Sequence, residues 1–281
     1  MKKALKWVGI ILASAIALVV LVGAVLYVVG GGNISATYDV PTATLALPSD
    51  SASIAHGAHL AGIYGCQDCH GEDLAGQVMG DAPPFRLVAS NITPGGETAD
   101  YSVEDWDRAI RHGVRPDGTA MFVMPSGAYN KMSDTETAEL IAYLQSLSAV
   151  ESEHRRIEWK PMGKLLAAGP MDLSTYVITS SGPAASPPPD STAAYGEYVA
   201  SMMCAYCHGD SLEGKIPDGS EVLAPDLRIS ASWSEEAFHR SLTTGELPGG
   251  RIMDPQVMPW SATARMTEAE REGLRQYLMT L

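Results

Sequence analysis

From Trp7 to Val29 the chain has no charged residue, and nearly every position is apolar. A run of this length can cross a bilayer as a helix. Trp7 and Tyr27 stand twenty residues apart, about 30 Å at 1.5 Å per residue, which suits the two membrane interfaces. Lys2, Lys3 and Lys6 precede the run and no positive charge follows closely, so the N-terminus is expected in the cytoplasm and the body on the extracytoplasmic side. A cleaved leader, cut near Ala13-Ser14-Ala15, is the alternative. The apolar run continues well past that point, which favours an uncleaved anchor.

Beyond the anchor, apolar residues recur at helical spacing in short stretches. Leu140, Tyr143, Leu144 and Leu147 lie on one face of a predicted helix, and Leu274, Tyr277, Leu278 and Leu281 repeat the arrangement. Each helix opens with a capping box, Ser133–Glu136 and Thr267–Glu270. Ser102 and Ser234 read as N-caps of earlier helices, with Gly113 and Gly245 as their stops. Segments 54–64 and 195–203 read as further short helices. No stretch alternates convincingly as a strand, so an all-α fold is expected.

These elements recur in order. Tyr101, Ser102, Glu104, Trp106, Arg108, Ile110 and Gly113 align at constant offset with Trp233, Ser234, Glu236, Phe238, Arg240, Leu242 and Gly245. Met124-Pro125 then matches Met258-Pro259, and Met132 matches Met266. The chain is an internal duplication of a unit of about a hundred residues, a reasonable domain size. It divides into a cytoplasmic tip and anchor (1–30), a linker (31–48), a first unit with a C-terminal extension (49–178), a Pro-rich semi-rigid linker (179–191) and a second unit (192–281). The extension carries Arg155, Arg156, Lys160 and Lys164. Its Trp159, Leu165, Leu166 and Leu173 need cover, so it is expected to pack on the first unit.

Residues 1–36 hold three of the 19 Lys/Arg and none of the 33 Asp/Glu, so the exported part carries a formal charge of −17. That excess argues against nucleic acid or an anionic lipid surface as partner. It fits a basic redox partner, or simple solubility.

All four cysteines fall in two copies of Cys-x-x-Cys-His, Cys66–His70 and Cys204–His208. This spacing marks c-type haem attachment. Two thiols bind the vinyl groups as thioethers, and the adjacent histidine reaches the iron. A zinc site would want four ligands without a fixed fifth-position histidine. The reading is two covalent haem c groups, on Cys66 and Cys69 and on Cys204 and Cys207, with His70 and His208 as iron ligands. The second axial ligand is expected from Met124 and Met258, each followed by a proline that keeps the loop irregular. Met121 is the nearest rival to Met124. Met132 and Met266 also repeat, but they precede an N-cap, where an apolar residue serves as a hydrophobic staple. His56, His59, His112, His154 and His239 have no counterpart between units, so core or surface roles are expected of them. Prolines 83, 84 and 225 fall at similar places. They mark either plain turns or carbonyls that accept the imidazole N–H of His70 or His208.

Both units resemble class I cytochrome c domains, with Cys-x-x-Cys-His early, a Met-Pro about fifty residues later and a final helix bearing Tyr-Leu. Ser90–Pro94, Trp106–Gly118 and Met124–Tyr129 further resemble the cytochrome c subunits of membrane-bound alcohol and gluconate dehydrogenases and related dihaem cytochromes. The resemblance implies two tandem cytochrome c domains behind a transmembrane helix, in an electron-transfer protein or subunit rather than an enzyme in its own right. Such a protein would relay electrons between a membrane redox complex or dehydrogenase and another carrier, on the periplasmic side of the inner membrane. The alternative is a haem enzyme of the dihaem peroxidase or thiosulfate dehydrogenase type. The matching Met-Pro in both halves favours the relay, since an enzyme would be expected to break that symmetry at one haem.

Overall fold

A computed structural model describes residues 2–153, 156–217 and 221–281; His154 and Arg155 lie outside the described residues. Helix α1 (Lys2–Ile34) leads into a first unit of α2 (Ser51–Ile63), α3 (Cys66–His70), strands β1 (Gln77–Asp81) and β2 (Phe85–Ala89), α4 (Val103–His112), α5 (Ser126–Tyr129) and α6 (Asp134–Ser146). The extension adds β3 (Glu158–Trp159) and α7 (Pro161–Ala167). The second unit comprises α8 (Ala193–Met203), α9 (Ala205–His208), α10 (Glu235–Thr244), α11 (Trp260–Thr263) and α12 (Glu268–Leu278).

Each unit is framed by its first and last long helices, α2 against α6 and α8 against α12. Glycine permits both crossings. A Cβ on Gly57 would stand 2.1 Å from the Glu139 carbonyl oxygen, and one on Gly196 would stand 1.9 Å from that of Gly273. Neither position could carry a side chain without parting the helices. The caps read from the sequence are formed. The Ser102 hydroxyl accepts from the Asp105 N–H at 3.1 Å, Ser234 serves Ala237 at 3.2 Å, and Gly113 and Gly245 end their helices at φ 67° and 73°. Leu60, Ile63, Leu140 and Ile141 of the first unit join Tyr195, Val199, Leu274 and Leu278 of the second in one continuous apolar core.

One expectation is corrected, and two connecting segments are found packed on the body. The fold is mostly helical but not all-α, because β1, β2 and β3 form an antiparallel sheet in the first unit. Pro83 and Pro84 occupy the β1–β2 turn, where they exclude helix, and Gly80 and Asp81 blur the alternation that would have marked β1. Phe85 and Trp159 pair across the sheet with ring centroids 5.7 Å apart.

Residues 31–48 are not a free spacer. Helix α1 runs on to Ile34 and docks on α7: Gly30 is buried, and a Cβ there would overlap the Lys164 backbone. Lys164 Nζ lies 4.9 Å from the Tyr27 ring centroid. The following strap is pinned by Tyr38 N–H to Gly118 O at 2.8 Å and by Ala43 N–H to Asp107 Oδ2 at 2.7 Å. The Pro-rich segment is likewise laid on the first unit. Asp134 N–H donates to Pro183 O at 3.1 Å, and Asn130 Nδ2 donates to Ser180 O at 2.9 Å. Both segments use backbone polar groups that a composition-based reading cannot place.

Candidate functional site

The two cysteine motifs are short helices, α3 and α9, and each ends in a glycine with φ 85°. The turn that follows is the same in both. Leu74 and Leu212 adopt the left-handed region (φ 59° and 57°), and each side chain is almost fully buried. The N–H of Gly76 returns to His70 O at 2.7 Å, and that of Gly214 to His208 O at 2.9 Å. An apolar residue in that conformation is uncommon. It is held because burying the leucine anchors the motif to the core. The sequence carries this signal as His-Gly-x-x-Leu-x-Gly after each motif, which the pattern reading passed over.

Each motif histidine is oriented from behind. His70 Nδ1 lies 2.7 Å from Ser90 O, and His208 Nδ1 lies 2.7 Å from Pro225 O. A carbonyl only accepts, so Nδ1 carries the proton and Nε2 keeps its lone pair for a metal. The proline carbonyl is therefore realised in the second unit but not the first, where Pro83 and Pro84 are consumed by the β1–β2 turn. Burial lowers the pKa of both rings, which favours the neutral, ligating form. Burial likewise pushes the Cys66 and Cys204 thiols up to about 12. These thiols lack the depressed pKa of a redox-active cysteine pair.

In the first unit Cys66, Cys69, His70 and Met124 line one cavity, walled by Ile92, Ile110, Leu140 and Leu144. Met121 lines it too, so the cavity does not choose between the two sulfurs. The loop carrying Met124 turns at Val123, whose φ of 76° is a genuine outlier for a β-branched residue. Met132 and Met266 are buried in the core directly beneath their N-caps, as a staple requires. In the second unit Met258 is partly buried, and its N–H is tied to Asp254 O at 2.9 Å.

The cavity suits a haem. Its walls are apolar, and its donor set is thiol, imidazole and thioether. Tyr101, Trp106 and Arg115 also reach the cavity, and Trp106 Nε1 and Arg115 Nε are buried without a hydrogen-bond partner. Unpaired buried donors are costly, and an acidic group on an otherwise apolar planar ligand, such as a haem propionate, would satisfy them. Position 106 was read from the sequence only as part of the repeat. Its partner in the second unit, Phe238, offers no such donor.

Of the unrepeated histidines, His112 is fully buried with Nδ1 2.7 Å from Ile178 O. His56 pairs with Glu139 at 2.6 Å, and His59 with Glu270 of the other unit at 2.8 Å. None of these three lines the cavity.

Comparison with known proteins bears on this geometry. Residues 54–148 match the family described as Cytochrome c, and residues 191–278 match the family described as cytochrome c oxidase, cbb3-type, subunit III. The body of the chain is two cytochrome c domains, a domain type that binds haem c covalently and transfers electrons. The chain is 26% identical over 271 residues to the alcohol dehydrogenase (quinone) cytochrome c subunit of Gluconacetobacter polyoxogenes, covering 83% of this chain and 57% of that one. It is 33% identical over 124 residues to the fructose dehydrogenase cytochrome subunit of Gluconobacter japonicus, covering 41% and 25%. It is 33% identical over 102 residues to the gluconate 2-dehydrogenase cytochrome c subunit of Pantoea cypripedii, covering 34% and 23%. The chain thus spans little more than half the length of the longest of these matches.

Proposed function

We propose that this chain is the electron-transfer subunit of a membrane-bound dehydrogenase complex, held by α1 in the inner membrane with its cytochrome domains on the periplasmic side. It would carry two haem c groups, held by Cys66, Cys69, His70 and Met124 and by Cys204, Cys207, His208 and Met258. Residues 49–178 and 192–281 would be the two haem domains. The observation that carries this reading is the first unit's cavity, which gathers both thiols, the imidazole and the Met-Pro loop on apolar walls. The names of the relatives support the dehydrogenase partner. The alternative haem enzyme is not favoured, because both halves repeat the Met-Pro loop and these relatives are named as cytochrome subunits.

When bound, haem c supplies one-electron exchange at its iron. The chain's residues do the rest. The cysteine pairs fix the group covalently, the Ser90 and Pro225 carbonyls hold the imidazoles in one tautomer, and the apolar walls exclude water. A thioether opposite histidine raises the potential relative to two histidines, so midpoints near or above zero are expected at both sites. Mass spectrometry of the denatured chain should find two haem additions, and one or none would sink the proposal. Met124→Ala and Met258→Ala should each remove about half of the weak far-red sulfur-to-iron band of the oxidised protein. If Met121→Ala or Met132→Ala does so instead, the ligand assignment is wrong.

A further inference from the structure

The two units touch through contacts that come in reciprocal pairs, as in an isologous dimer where each residue of one partner has its mirror in the other. Lys131 and Arg265 occupy equivalent positions, each two residues before the N-cap of its unit's last helix. Lys131 Nζ donates to Ser201 O at 3.2 Å and pairs with Asp210 at 3.2 Å. Arg265 donates to Gly62 O at 2.9 Å and pairs with Asp68 at 3.2 Å. Gly62 and Ser201 lie in the last turn of α2 and α8, the helices that run into the two cysteine motifs. Asp68 sits between Cys66 and Cys69, and Asp210 two residues past His208. Arg265 therefore reaches into the first unit's motif, and Lys131 bridges residues on either side of the second unit's motif.

A second reciprocal pair lies deeper. Glu136 and Glu270 are the third residues of α6 and α12, and both are buried. Glu270 takes His59 of the first unit at 2.8 Å, and Glu136 takes the Tyr198 hydroxyl of the second. Helix α5 packs on α8, and α11 packs on α2. The turn before each unit's last helix therefore lies against the helix that leads into the other unit's motif.

We infer that Lys131 and Arg265 are positioning residues, which set the two haem motifs against each other so that electrons pass directly between the two haems. This rests on the relay reading above. The exchange it serves moves one electron from a ferrous to a ferric centre, and no bond or proton changes place. The apolar core supplies the energy of the interface. Partly exposed ion pairs such as Arg265–Asp68 contribute little to stability but fix register, so their loss alters geometry without unfolding either unit.

The test uses the full-length, haem-loaded protein. Carbodiimide treatment should form a zero-length amide between Lys131 and Asp210, read by peptide mass spectrometry, and Arg265→Glu should reduce its yield. In the Lys131→Glu/Arg265→Glu double variant, interhaem exchange after flash reduction should slow about tenfold or more at unchanged haem content. The charge swap Arg265→Asp with Asp68→Arg should recover most of the Arg265→Asp loss, as coupled residues do. An unchanged exchange rate in the double variant, or no Lys131–Asp210 link in the wild type, overturns the inference. Fewer than two haems would defeat the relay reading instead, and the cross-link would still decide the interface.

Discussion

The two halves of the molecule share a scaffold and differ in how they enclose it. Both have the crossed helix pair, the glycine at the crossing, the capped middle helix, the motif and the Gly-x-x-Leu-x-Gly turn. Among the described residues, only the first has the β1–β2–β3 sheet and, beside it, the packed rings of Phe85, Phe122, Trp159 and Tyr176. Where the sheet would lie, the second has an isolated bridge between Lys215 and Ala224, and Ile216, Leu223, Ile229, Ile252 and Val257 stand exposed. The duplicated residues include those proposed to attach and orient the haem. Part of its wall repeats as well, Ile110, Leu140 and Leu144 matching Leu242, Leu274 and Leu278, whereas the sheet and the ring cluster beside it have no counterpart among the described residues of the second unit. Position in the repeat thus separates binding from tuning.

The largest expected contrast lies in the buried charges. In the first unit Asp107 and Arg111 are both inaccessible and 2.5 Å apart, and Asp107 also receives the strap at Ala43. Their counterparts are His239 and Thr243, and His239 makes only a partly exposed 3.6 Å contact with Glu272. Asp107→Asn leaves the buried Arg111 guanidinium with only the partly exposed Asp134 carboxylate, 2.7 Å away, and should destabilise the first unit by up to about 3 kcal/mol. His239→Asn should cost about 1 kcal/mol or less. Chemical denaturation followed by tryptophan fluorescence measures both, and equal costs would show that the first unit's extra network does not stiffen it.

How much of this could be read from the residues divides along the same line. Helices announce themselves through local rules, so Ser102, Gly113, Ser234 and Gly245 located their ends. One cap shows the limit. The Ser133–Glu136 box is left incomplete, because Tyr198 of the other unit donates to Glu136 and accepts the Ser133 N–H at 2.8 Å, whereas Thr267–Glu270 closes fully. A contact from 62 residues away in the chain leaves no mark in a local pattern. The sheet escaped notice for a similar reason, since β1 and β2 are five residues each and β3 only two. The cysteine and histidine motifs stand out in the sequence because their spacing is chemistry. Spacing does not choose between Met124 and Met121, which share one cavity.

The second contrast concerns the haem potentials. A walled, apolar site disfavours the more charged ferric state, and the positive charge of Arg115, whose Nε has no hydrogen-bond partner, adds to this. The haem of the first unit should therefore have the higher midpoint, by about 60 mV, the one-electron equivalent of about 1.4 kcal/mol. Spectroelectrochemical titration of wild type, with Met258→Ala to assign the waves, checks the order. The reverse order would mean that the second unit's exposed apolar rim is covered in the working protein.

A smaller contrast is stored in the backbone. Val123 holds φ 76° ahead of Met124, whereas its counterpart Val257 does not lie in that region. The left-handed conformation costs a non-glycine residue about 1–2 kcal/mol, against about 0.5–1 kcal/mol of chain entropy added by glycine. Val123→Gly should be neutral to stabilising by up to about 1 kcal/mol, and Val257→Gly destabilising by about 0.5–1 kcal/mol. Paired denaturation curves give the signs. Like signs would place the two Met-Pro loops in the same conformation.

The smallest effect asks whether the reciprocal interface is equally sensitive to pH on both sides. The hydrogen bond to Glu270 raises the His59 pKa from its ordinary 6.5, against burial. Its contribution is fully present below pH 6.5 and is lost as pH rises through the folded value. For Glu270 burial pushes upward, but His59 and the Thr267 N–H outweigh it and hold the carboxyl below its ordinary 4.5. That contribution is present above pH 4.5 and is lost as pH falls through the folded value. The two windows overlap near pH 5–6, where the pair is charged on both sides. Glu136, facing Tyr198, is raised by burial from 4.5, so its contribution fades as pH rises through its folded value and shares no second window. The His59–Glu270 side should therefore be strongest at mildly acid pH. His59 is a quarter exposed, so His59→Gln should cost under about 1 kcal/mol at pH 5.5 and less at pH 8.5. His56, stacked on His59 at 6.2 Å and paired with Glu139 within its own unit, is the control. His56→Gln should leave the Lys131–Asp210 cross-link yield unchanged at pH 5.5, and His59→Gln should lower it. If both lower it equally, the two histidines act as one cluster and the reciprocity of Glu136 and Glu270 is only geometric.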